Sequence, residues 1–237
     1  MAGLTNIISP GFAIPSACYD EISRAFGAAS VVCSYASDES LEASSLRLRN
    51  ICQQEGSLIG HSRGGSVAVD VALQLGPRRI SRLVLLDPVD DAALTTLRKL
   101  EVDTAPLPPC LLLSTPWAGA SSYYRYNYES ACAPPDRSAP AFSRALSGRS
   151  PELRSLLVEV PSLGHLSMLS HPEALAAIQN LCGSSHSPAL SPQRFALLQS
   201  AVRDLLVAWV AGARVEPASP LVSAIQAYDP AARAILL

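Results

Sequence analysis

Lysine is almost missing from this chain: among its 18 basic residues only Lys99 is one. No basic run occurs and the formal charge is −2, so nucleic acid is not expected as a partner, because binding it needs clustered positive charge. Charge of either sign is scarce, 16% against 49% apolar residues, which excludes an intrinsically disordered chain. Nor is there a run of the about 18 uninterrupted apolar residues that a membrane-spanning helix needs. The opening Met-Ala-Gly-Leu-Thr-Asn-Ile-Ile has neither the basic start nor the apolar run of a secretory signal, and the first arginine is Arg24, so no transit peptide is expected. Metal chemistry finds no support. The six cysteines, Cys18, Cys33, Cys52, Cys110, Cys132 and Cys182, form no CxxC and no Cys/His cluster. They read as buried free thiols rather than disulfides.

What is present is a rhythm. With 237 residues, the chain suits one domain able to bury its own core. Short apolar runs read as strands: Thr5–Ser9, Ser30–Tyr35, Gly56–Ile59, Arg82–Leu86, Pro109–Leu113 and Leu156–Val160. Between them lie helical patterns at Ser16–Phe26 with Ser16 as N-cap, Ser40–Gln54, Arg63–Leu75 closed by Gly76-Pro77, and Gln193–Val210. Continuous apolar strands alternating with helices predict an α/β fold, a mostly parallel central sheet flanked by helices on both faces. The expected domain spans residues 1–212, with a lid-like, tyrosine- and proline-rich insertion at about 117–150. Residues 213–237 read as a tail.

Residues 60–65 read Gly-His-Ser-Arg-Gly-Gly. This G-x-S-x-G string between a short strand and a helix is the context of a nucleophile elbow, which puts Ser62 forward as nucleophile. The serine of such an elbow sits on a strained turn with its hydroxyl presented, and the flanking glycines leave room for that turn. A serine alone is a poor nucleophile, and it needs a base and an acid to orient the base. Of the four histidines, His165 follows the last core strand, where this fold delivers its base. His171 is the alternative. His61, inside the elbow, is expected to point away, and His186 falls in a serine-rich linker. The acid is expected at Asp87, directly after the strand Arg82–Leu86, with Asp90 and Asp91 as competitors. The oxyanion hole is expected from the backbone N–H groups of Arg63 and Phe12. No metal or organic cofactor is expected.

Together these residues resemble the chlorophyllase family of α/β-hydrolases. The resemblance lies in Gly60–Gly65, in Asp87-Pro88-Val89, in Gly164-His165-Leu166 with Met168-Leu169, and in the segment from Ser130 through Cys132 to Pro135 followed by Phe142. It runs from about residue 6 to 212. Ser66 stands where plant members carry Lys, and Pro10-Gly11 where they have His-Gly. The resemblance implies a serine esterase that hydrolyses the phytyl ester of chlorophyll to chlorophyllide and phytol, in a chloroplast. Such a hydrophobic ester substrate is compatible with peripheral membrane contact.

Overall fold

Apolar residues in the strands alternate between two faces, as the period of an extended chain requires. In the computed structural model, which describes residues 5–11, 14–27, 29–36, 39–91, 93–116, 133, 135–147, 149, 155–170 and 187–237, this alternation builds two cores. One row across the sheet, Ile8–Ile59–Val84–Leu111–Leu156, faces one core. The adjacent row, Ile7–Leu58–Leu83–Cys110, faces the other. All nine of these side chains are at most 3% exposed. Each fully buried leucine or isoleucine contributes about 1.5–3 kcal/mol.

The strands are β1 (Thr5–Ser9), β2 (Ser30–Val32), β3 (Gly56–His61), β4 (Ile80–Leu86), β5 (Cys110–Ser114), β6 (Leu156–Glu159) and β7 (Arg233–Leu236). They form one sheet in the order β2-β1-β3-β4-β5-β6-β7. Every pairing is parallel except β6 with β7. Among the described residues the helices are α1 (Asp20–Phe26), α2 (Leu41–Ile51), α3 (Arg63–Leu75), α4 (Thr95–Val102), α5 (Ala139–Ser147), α6 (Pro192–Val210) and α7 (Pro220–Tyr228). Helix α6 packs its stripe of Leu198, Val202, Leu206 and Trp209 on one face of the sheet. Val67 and Val71 of α3, Leu97 of α4 and Phe142 of α5 pack on the other. This mostly parallel sheet between two helical layers, with a strand–serine–helix elbow, is the α/β-hydrolase fold expected from the sequence.

Helix starts follow local chemistry. The hydroxyls of Ser40, Ser191 and Ser219 each accept the backbone N–H three residues on, and proline follows the last two caps. Ser16 does not cap. Pro15 holds that position, Cys18 N–H bonds to Pro15 O at 3.0 Å, and Ser16–Tyr19 tighten into a 3-10 turn before α1. The single lysine ties helices together: Lys99 Nζ of α4 lies 2.5 Å from the buried Asp70 Oδ1 of α3.

Two expectations are corrected. Of the insertion at about 117–150, residues 117–132 lie outside the described residues, but 139–147 form α5, whose Phe142 and Leu146 are core. The stretch read as a tail holds α7 and β7. The C-terminal strand continues the sheet by pairing with the edge of β6. Asp229, 3% exposed at the end of α7, accepts the Ser162 N–H at 2.8 Å. We predict that Asp229→Ala, which leaves that N–H unpaired, lowers unfolding free energy by about 1–3 kcal/mol in urea melts. An unchanged midpoint would mean that the C-terminal segment does not support the loop after β6.

Candidate active site

Ser62 joins β3 to α3 with φ 54° and ψ −130°. A positive φ at a residue with a side chain costs on the order of 1–3 kcal/mol, and it persists only where the surroundings impose it. Here they do. Ser62 N–H donates to Leu86 O at 2.9 Å, and Ser62 O accepts from Gly65 N–H at 2.8 Å and Val89 N–H at 3.0 Å. The elbow is also wedged sterically. A Cβ on Gly64 would strike the carbonyl oxygens of Ser9 and Pro10, and one on Gly65 would lie 2.6 Å from Pro88 Cβ. The loop after β1 therefore closes on one side of Ser62, and the loop after β4 on the other.

Asp87 follows β4 directly and is also left-handed, with φ 41°. Its N–H donates to Leu113 O at 2.9 Å. One carboxylate oxygen accepts the Thr115 N–H at 2.7 Å, and the other accepts the Thr115 hydroxyl. His165 Nδ1 lies 3.7 Å from Asp87 Oδ2. Burial pushes the Asp87 carboxyl above the ordinary carboxylate range, while His165 and the Thr115 N–H pull it back. Its competitors are engaged elsewhere. Asp90 accepts from the N–H groups of Asp91, Thr96 and Leu97 and from the Ser66 hydroxyl, and Asp91 accepts the Thr95 N–H. Both serve the start of α4. Among the described residues, Asp87 supplies the only carboxylate within ion-pair distance of His165.

Ser62 and His165 are 9% and 6% exposed. No hydrogen bond joins the Ser62 hydroxyl to the His165 ring in this structure; such contacts are often long before substrate binds and tighten in the complex. Arg63 opens α3, at a position whose N–H has no partner within its helix. Phe12, His171 and His186 lie outside the described residues. The Gly11 N–H is taken, because it donates to Tyr19 Oη at 2.8 Å.

His61 departs from expectation. Its ring does not turn away. It lies against His165, with centroids 4.7 Å apart. His61 Nε2 donates to His165 O at 2.9 Å, and Nδ1 accepts from Tyr19 Oη at 2.8 Å. Burial, and secondly the charge of His165, lower its pKa to about 3. Tyr19 and Thr115 were not visible as site residues in the sequence. Tyr19 had no signal beyond its place in a helical pattern, whereas Thr115 could have been suspected because it follows β5 beside the expected acid. Cys33, Cys52 and Cys110 are buried and free, as expected, Cys18 is buried, and Cys132 and Cys182 lie outside the described residues.

Two cavities flank the site. One, of about 240 Å³, lies at the ends of β1 and β2 and is lined by Gly11, Ile14, Tyr35, Arg63 and Val67. It sits where the strand order reverses, the usual ligand crevice of an open parallel sheet. The other, of about 100 Å³, is lined by Asp87, Thr115, Pro140 and His165. Among the described residues, no helix is long and apolar enough to cross a membrane.

No protein-family model matches this sequence, and no curated protein matches it either. Several solved structures do. An extracellular α/β-hydrolase from a Paenibacillus species, described as sharing structural and functional homology with tobacco salicylic acid binding protein 2, is 22% identical over 42% of this chain and 51% of its own, with a TM-score of 0.33. A probable hydrolytic enzyme from Pseudomonas aeruginosa PAO1 is 22% identical over 55% of this chain and 42% of its own, with a TM-score of 0.33. AqDC, which recognises and cleaves the ring of the Pseudomonas quinolone signal, is 14% identical over 77% of this chain and 93% of its own, with a TM-score of 0.46. The chain thus spans about half the length of the first of these structures. Likeness at this level bears on neither activity nor substrate.

The lowered pKa of His61 has a consequence for stability. Between pH 6.5 and about 3 the unfolded chain takes up a proton that the folded ring refuses, so folding is penalised as pH falls through that window. The raised pKa of Asp87 acts in the opposite sense, since its contribution is lost as pH rises above the unfolded value of 3.8. We predict that His61→Gln flattens the loss of stability of the protein below pH 6.5, read from urea melts at several pH values. A variant with the same pH slope as the parent would show that His61 is not held neutral.

Proposed function

We propose that this protein is a serine ester hydrolase, with Ser62 as nucleophile, His165 as general base and Asp87 as the acid that orients it. One observation carries this reading. A serine held at φ 54° follows one parallel strand, and a histidine that follows another has its Nδ1 3.7 Å from a largely buried carboxylate at the end of a third. Strain of this kind in a non-glycine residue points to function rather than to packing.

The chemistry is acyl transfer in two halves. His165 Nε2 takes the proton of Ser62 Oγ as the oxygen attacks the ester carbonyl carbon. The carbonyl oxygen becomes an oxyanion facing the backbone N–H groups of Arg63 and Phe12. The C–O bond to the alcohol breaks, and the alcohol leaves with the proton held by His165. Water then gives a proton to His165 and attacks the acyl-enzyme. The carboxylic acid departs and Ser62 recovers its proton. Asp87 holds the imidazole in the required tautomer and stabilises its cationic form. Thr115, with two hydrogen bonds to that carboxylate, keeps Asp87 aimed.

The substrate class we propose is a hydrophobic carboxylic ester. On the resemblance of its motifs, the first candidate is the phytyl ester of chlorophyll, which carries with it a plastid setting. A general carboxylesterase or lipase is the second reading, and Ser66 favours it. Where plant chlorophyllases carry a lysine, this chain has a buried hydroxyl that donates to Val89 O at 2.8 Å.

We predict that a fluorophosphonate probe labels the protein at Ser62 and that Ser62→Ala abolishes labelling. His165→Ala slows it about 1,000-fold or more. Undiminished labelling of Ser62→Ala would overturn the nucleophile, and an unlabelled parent would favour a ligand-binding protein without catalysis. Chlorophyllide released from chlorophyll a, followed by chromatography, separates the two ester readings. Hydrolysis of short acyl esters alone supports the general carboxylesterase.

A further inference from the structure

Two buried side chains near the site, Tyr19 and His61, link two backbone groups through three hydrogen bonds that acyl transfer does not use. The Gly11 N–H donates to Tyr19 Oη at 2.8 Å. Tyr19 Oη–H donates to His61 Nδ1 at 2.8 Å, and His61 Nε2–H donates to His165 O at 2.9 Å. The direction of every bond is fixed by its ends. A backbone carbonyl only accepts, so Nε2 carries the proton; a neutral imidazole then accepts at Nδ1, and the tyrosine hydroxyl must donate there. Tyr19 is fully buried, and His61 is 1% exposed.

The two ends of this chain matter. Gly11 lies in the loop after β1, next to Phe12, the expected oxyanion donor. His165 is the expected base, on the loop after β6. These loops are far apart in sequence, and hydrolysis needs them in register. Further contacts tie the same pieces. Both the N–H and the hydroxyl of Ser170 donate to Cys18 O, at 2.9 and 3.0 Å, so the 3-10 turn carrying Tyr19 is fastened to the segment that follows His165. The Tyr19 and His61 rings meet edge-on at 5.8 Å, and the His61 ring packs on the base itself.

We propose that Tyr19 and His61 are positioning residues that couple the oxyanion loop after β1 to the backbone and ring of the base His165. The inference rests on the triad reading above. Neither residue touches the reacting atoms. Their task is to hold donor and base within the few tenths of an ångström that a catalytic constellation tolerates, and misplacement by about 1 Å can cost about 100-fold in rate.

The test is the saturation kinetics of fluorophosphonate labelling at Ser62 in the full chain, for the parent and for Tyr19→Phe, His61→Ala and His61→Gln. Tyr19→Phe keeps the ring volume, and far-UV circular dichroism and melting temperature monitor folding of each variant. We expect the maximal labelling rate per titratable site to fall about 10-fold in Tyr19→Phe and about 100-fold in His61→Ala. The half-saturating probe concentration should move less than about twofold, since the binding surface is untouched. His61→Gln, which keeps an N–H for the His165 carbonyl, should recover most of the rate lost by alanine. A purely structural role would lower the melting temperature or the number of titratable sites and leave the rate per site unchanged, and that result overturns the proposal. So does His61→Gln behaving like His61→Ala. A parent that is not labelled at Ser62 overturns the triad reading and this inference with it, whereas a labelled parent with unaffected variants overturns this inference alone.

Discussion

Everything at the rim of the sheet depends on the left-handed backbone of Ser62. A φ of 54° at a serine is a cost, and three backbone hydrogen bonds hold it there, one to Leu86 and two from Gly65 and Val89. Those same bonds tie the turn at Ser62 to Leu86 and Val89, which flank Asp87 in the loop after β4. The absence of side chains at Gly64 and Gly65 lets the loops after β1 and β4 close on the elbow from both sides. Strand order adds the rest. With β1, β3, β4, β5 and β6 parallel and adjacent, Gly11, Ser62, Asp87, Thr115 and His165 all emerge at one edge.

The electrostatics of the site follow from burial. His61 is kept neutral because a charge there would be desolvated beside His165. Neutrality gives it one donor and one acceptor, so it can link a tyrosine hydroxyl to a backbone carbonyl without adding charge near His165. Asp87 is likewise resisted by burial, and its ionised form is sustained by the Thr115 N–H and by His165. Asp90, only 3% exposed, is satisfied by the backbone N–H groups of Asp91, Thr96 and Leu97 and by Ser66. Two neighbouring carboxylates therefore do different work because their surroundings differ.

Much of the sheet was legible in the sequence. Runs such as RLVLL and PCLLL announce strands buried on both faces, and the G-x-S-x-G string fixes the elbow between β3 and α3. The placement of Asp87 after β4 followed from the same logic. Other parts were harder to read. Ser219-Pro220 repeats the cap signal of Ser191-Pro192, so α7 could have been read; β7 is a short, largely exposed edge strand whose apolar residues are confined to the last four positions of the chain, which makes it harder to read. Ser16 looks like a cap, but Pro15 forces a tighter turn. The links from Tyr19 through His61 to His165 are tertiary contacts between residues up to 104 positions apart, and no local pattern encodes them.

The most direct test of the account is a crystal structure of the protein after reaction with a fluorophosphonate. The account predicts phosphorus bonded to Ser62 Oγ, a phosphoryl oxygen accepting the Arg63 N–H, and His165 Nε2 within hydrogen-bonding reach of the adduct, with Nδ1 still facing Asp87. An adduct on another residue, or a phosphoryl oxygen turned away from the start of α3 with His165 far from it, would contradict the account.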